Sequence, residues 1–75
     1  MTEFFEVWKY AKDAYGLSRI VYINLDEAYI RIYQDETVIV QVKGTPEELE
    51  DLYIAAALRL LQWMQMRGVK LHDNS

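Results

Sequence analysis

Cysteine is absent from the 75-residue chain and histidine occurs once, at His72. A disulfide scaffold and a cysteine-based zinc site are therefore excluded, and one histidine is too few for a His-rich metal centre. Serine occurs only at Ser18 and Ser75. With no thiol, and with His72 in a short tail beside Asp73, no nucleophile, base and orienting group can be assembled, so no catalytic residue is assigned and the chain reads as a non-enzyme. The three glycines, Gly16, Gly44 and Gly68, lie too far apart to form a phosphate-cradling loop and read as punctuation between elements. The acid pairs Asp26-Glu27 and Asp35-Glu36 read as solvated turn residues rather than metal ligands. No metal and no cofactor is expected.

Long apolar runs are also missing. The longest, Leu52 to Leu58, is seven residues, against the about 20 that span a bilayer. The start of the chain carries Glu3 and Glu6 where a secretory signal would carry basic residues, so a cytoplasmic, reducing location is expected. Basic residues are outnumbered, with eight Lys and Arg against twelve Asp and Glu and a net charge of −4. That balance argues against affinity earned by neutralising nucleic-acid phosphates.

What is present is a dense apolar content, 52% of residues, with clear periodicities over a length that suits one domain. From Thr2 to Tyr15, Phe4, Val7, Trp8, Ala11, Ala14 and Tyr15 recur at three- and four-residue spacing, which predicts an amphipathic helix capped by Thr2 and stopped by Gly16. Three β-rich runs follow at 19–25, 28–33 and 37–43, and they predict an antiparallel meander joined by loops of three to five residues. Thr45-Pro46-Glu47-Glu48 carries a Thr N-cap, a Pro at the first helical position and a Glu at the third. A second helix is expected over 45–67, with Gly68 as its stop, Val69 as the accompanying apolar contact, and a frayed tail over 72–75.

The resulting fold is α+β: helix, three-stranded antiparallel meander, helix, with both helices on one face of the sheet. Alternation assigns Val21, Ile23, Leu25, Ile30, Ile32, Val38, Val40 and Val42 to the covered face. This element order over Thr2–Arg67 is similar to that of double-stranded-RNA-binding domains and of some small phage anti-CRISPR proteins. Where the former present basic residues at the start of the second helix, this chain has Glu47, Glu48, Glu50 and Asp51. The latter resemblance implies a small acidic regulator or inhibitor, encoded by a phage or mobile element and acting on a larger host protein.

Three surfaces stand out. The meander gathers Glu3, Glu6, Asp26, Glu27, Glu47, Glu48, Glu50 and Asp51 at one end, with Lys43 as the obvious counter-charge. Such a pole complements the positive helix ends and also suits a protein partner with a basic patch. The other end, with Lys12, Arg19, Arg67 and Lys70 against Asp13, Asp35 and Glu36, is near neutral. The uncovered sheet face is expected to present Tyr22, Tyr29, Arg31, Tyr33 and Ile39, a composition typical of protein-binding hot spots. Finally, the second helix has an apolar arc wider than one sheet requires, leaving Ile54, Leu58, Leu61 and Met66 for a partner or for self-association as a homodimer, and the alternative function this implies is a homo-oligomeric structural or accessory subunit.

Overall fold

The computed structural model describes residues 2–73, with side chains for 3–67. The element order is α1 (Thr2–Tyr15), β1 (Leu17–Ile23), β2 (Ala28–Gln34), β3 (Thr37–Gly44), a 3₁₀ turn (Pro46–Glu48) and α2 (Leu49–Asp73). The strands form one antiparallel sheet in the order β1-β2-β3, and both helices pack on it, giving the expected α+β fold.

The core lies between the sheet and the two helices. Ala28, Ile30 and Ile32 of β2 and Val40 and Val42 of β3 meet Phe4, Trp8 and Ala11 of α1 and Leu52, Ala56, Ala57 and Leu60 of α2. The three alanines on the helices let backbones approach the sheet closely, while Phe4, Ile30, Ile32 and Leu60 are the largest side chains enclosed completely. Phe4 meets Tyr53 edge-on at 5.0 Å and Tyr15 meets Trp63 edge-on at 5.0 Å. The two helices therefore run parallel, with their N-termini at the same end of the sheet.

Several boundaries differ from expectation for local reasons. Gly16 adopts φ +66°, so α1 ends in a left-handed residue and the chain enters β1 at once, with Leu17 buried in the core. At the other end Asn24 terminates β1. Its Oδ1 accepts the N–H groups of Asp26 at 2.8 Å and Glu27 at 2.7 Å, an Asx turn that competes with the ladder. Leu25, expected in the core, is thus in the loop and 96% exposed. Ile23 pairs with Ala28 at the sheet's outer corner and is half exposed.

The β2–β3 hairpin also corrects the expected pattern. Gln34 pairs with Thr37, so the loop is the two residues Asp35-Glu36, with Asp35 at φ 56°. Aspartate is among the few residues that tolerate this conformation, which substitutes for the absent Asn-Gly. A register shift follows at Ile32/Tyr33, and Val38 pairs with Tyr33. The shift moves Val38 out of the expected core set to a 45% exposed position, while Ile39 packs against the core instead of standing on the open face.

The entry to α2 follows the sequence signal. Thr45 is the N-cap, Pro46 opens the 3₁₀ turn, and Oε1 of Glu48 accepts the Thr45 N–H at 2.9 Å and the Thr45 hydroxyl at 3.0 Å. These bonds, the backbone one foremost, hold the Glu48 carboxyl below its ordinary value. A Cβ on Gly44 would stand 2.9 Å from Glu48 Oε1 and 3.2 Å from Leu52, so a side chain there would have to displace the Glu48 carboxylate from its bonds to Thr45.

Thr45→Ala is expected to cost about 1 kcal/mol of stability, read as a lowered urea midpoint. A carboxyl whose folded value is depressed stabilises the fold above its ordinary value and loses that contribution as pH falls through the lowered one. Alanine keeps the backbone N–H bond to Glu48 and loses only the hydroxyl bond, so only that smaller part of the difference between wild type and Thr45→Ala should shrink as pH falls through the lowered value.

The helix does not stop at Gly68 but continues to Asp73. Glycine in a helix interior costs only about 0.5–1 kcal/mol relative to alanine, too little to end a long helix by itself. His72 and Asp73, expected in the tail, are helical. Asn74 and Ser75, and the side chains of Thr2 and Val69, lie outside those described. No helix among the described residues is long and apolar enough to cross a membrane.

Candidate binding surfaces

The sheet face opposite the helices carries an ordered ladder. Tyr22 and Tyr29 are direct cross-strand partners, and their rings stack with centroids 5.0 Å apart and planes 18° from parallel. Two residues further along β2, on the same face, Arg31 lays its guanidinium 4.4 Å from the centroid of the Tyr29 ring. Both ends are pinned. Arg31 Nε donates to Gln41 Oε1 at 2.9 Å, and Asn24 Nδ2 donates to the Tyr22 hydroxyl at 3.0 Å. Each contact is worth a fraction of a kcal/mol at an exposed site. Together they hold an aromatic and cationic strip in one arrangement while Tyr22 remains 40% exposed. Tyr33 shares this face but pairs with Ser18 and Val38, away from the stack, and Ile39 leaves the surface for the core.

The acidic residues divide into smaller groups. Pairing of Ile23 with Ala28 and of Ala28 with Gly44 puts the Asp26-Glu27 loop and the start of α2 at one end of the sheet. There Glu47, Glu50 and Asp51 are exposed, but Glu48 is occupied by Thr45. Glu6 is turned away, lining a shallow hollow on the outer side of α1 with Lys9, Tyr10 and Asp13. Glu3 instead borders a groove between the helices, enclosing about 310 Å³ and lined by Glu3, Phe4 and Val7 of α1 and Ile54, Ala57, Leu58 and Leu61 of α2.

That groove contains three of the four residues expected to mediate self-association. Ile54, Leu58 and Leu61 are 50%, 57% and 39% exposed. Met66 lies apart, sharing a second hollow with Ala55, Leu58, Arg59, Gln62 and Trp63. The surplus apolar arc is thus real, and Leu58 forms the ridge between two depressions.

One arrangement was missed in the sequence. Arg19, read from the sequence only as one of the charges at the near-neutral end, has a more specific environment. It sits on the helix-facing side of β1, and its guanidinium lies 5.6, 5.3 and 5.1 Å from the rings of Phe4, Phe5 and Trp8. Its Nη1 is buried and has no hydrogen-bond partner among the described residues. Parity with Leu17 and Val21 was the available signal, since alternate residues of a strand share a face. The aromatic rings substitute for an anion and close the gap between α1 and the outer strand. Among the described residues no group of three or more His, Cys, Asp or Glu is placed to hold a metal ion.

No family model matches this chain, and no curated protein or solved structure matches it.

Proposed function

We propose that this protein is a small non-enzymatic protein-binding module that regulates or inhibits a larger partner, with the Tyr22–Tyr29–Arg31 ladder as its principal contact surface. The observation that carries this reading is the pinning of the ladder at both ends by Asn24 and Gln41. Tyrosine and arginine dominate binding hot spots, and side chains already ordered in the free protein lose little entropy on association. The net charge of −4 disfavours a base-stacking role, because single-strand binders pair their aromatic platforms with a positive groove.

The double substitution Tyr29→Ala, Arg31→Ala tests the reading. Both side chains leave the core, so the cost in stability should be about 1 kcal/mol, from the lost stack and β-propensity. Partner affinity, measured after capture on immobilised wild-type protein, should fall about 30-fold or more, equivalent to about 2 kcal/mol. Equal capture by the variant would refute the ladder as contact surface. Binding of a poly-pyrimidine strand tighter than about 100 μM would favour nucleic acid instead.

A further inference from the structure

We infer that the groove between α1 and α2 is a docking site for a cationic amphipathic helix of a partner protein. It belongs to the helical layer, on the other side of the sheet from the Tyr22–Tyr29–Arg31 ladder, and the inference stands whether or not the ladder binds anything.

Two parallel helices leave a furrow into which the side chains of a third can pack, and here its walls are Val7 on one side and Ile54, Leu58 and Leu61 on the other. These side chains hold substantial apolar area in water, with Leu58 57% exposed, and covering such area is what drives helix docking. The electrostatics select the occupant. Among the described residues, Glu3 is the one charged residue lining the groove, and no Lys or Arg lines it. Glu50 and Asp51 precede Ile54 by four and three residues, so they share its side of α2, and both are exposed. The two helix N-termini supply only about half a positive charge each, less than three carboxylates supply in opposition. The acids stand at the end of the groove where both helices begin. The occupant therefore combines an apolar stripe with Lys or Arg concentrated toward one end. A second copy of this chain fits poorly, because its own groove brings a second Glu3, Glu50 and Asp51 to the same rim.

A fluorescently labelled Leu/Lys peptide of about four helical turns, patterned with leucine on one face, is the probe. Its anisotropy should report binding to the full chain on the order of 10 μM at low salt, weakening as salt is raised. A scrambled peptide of the same composition should bind at least about tenfold more weakly. Leu58→Ser should reduce affinity about tenfold, and so should Glu3→Gln with Asp51→Asn, whereas Asp13→Asn with Glu36→Gln, an equal charge change outside the groove, should leave it unchanged. Circular dichroism establishes that each variant is folded. Equal binding of the scrambled peptide, or an equal loss with the distant charge pair, would overturn the proposal in favour of non-specific attraction. A dimer in light scattering that Leu58→Glu dissociates would overturn it in favour of a second copy.

Discussion

Phe4→Ala should lower the free energy of unfolding by about 3–5 kcal/mol, close to the whole stability that a core of this size supplies. Phe4 is only 1% exposed and is a hub of the aromatic packing. Its ring lies against Phe5 at 5.4 Å and Trp8 at 6.3 Å on its own helix, and against Tyr53 at 5.0 Å on α2. It also forms one wall of the arginine enclosure. Truncation opens a cavity that three rigid rings cannot collapse to fill, and it frees one face of a guanidinium with little else to hold it. Urea denaturation followed by far-ultraviolet circular dichroism measures the loss. A change below about 1 kcal/mol would mean that α1 is anchored by something other than Phe4.

The second large effect is expected at Arg19. Arg19→Glu should destabilise by about 2–4 kcal/mol, because it places a carboxylate against the negative faces of three rings in a partly desolvated site. Arg19→Met should remain within about 1 kcal/mol of wild type. The methionine keeps the apolar stem and a polarizable contact with the rings while removing the buried Nη1, which has no hydrogen-bond partner among the described residues. Comparing the two denaturation midpoints separates charge sign from packing. If methionine is as damaging as glutamate, the cation itself is what the rings require.

The elements that were legible in the sequence are those in which a local signal and the tertiary environment agree. The 3.6-residue stripe of α1 ends at a glycine, and its observed limits, Thr2–Tyr15, follow that pattern. The Thr45-Pro46-Glu47-Glu48 start of α2 satisfies its own backbone groups and needs no tertiary help. The parity of Tyr22, Tyr29 and Arg31 placed them together on the open face, but their stacking order and pinning depend on rotamers that a sequence does not display. What was illegible depended on competition. Asn24 ends β1 because its side chain captures two backbone N–H groups, although Leu25 continues the apolar alternation. The shift at Val38 follows a two-residue loop whose aspartate accepts a positive φ, a choice that composition alone leaves open. The surroundings of Arg19 were not foreseen because charged residues are rarely found on the helix-facing side of a sheet. Arg19 is tolerated here only because three aromatic residues from one helix surround it.

The pairing of the first helix with the last has a kinetic consequence. Every strand contact is between sequence neighbours, β1 with β2 and β2 with β3, so the meander closes only short loops as it forms. The contact of α1 with α2 joins opposite ends of the chain and carries the greatest loop-closure entropy. The sheet with the α2 segment that covers it is therefore the natural folding nucleus, and α1 docks late. Substitutions at Phe4 and Trp8 should then leave the folding limb of a chevron almost unmoved and raise the unfolding rate, whereas substitutions at Ile30, Ile32 and Leu60 should slow folding itself. The residence time of the folded state is accordingly set at the α1–α2 seam, the line along which the interhelical groove runs.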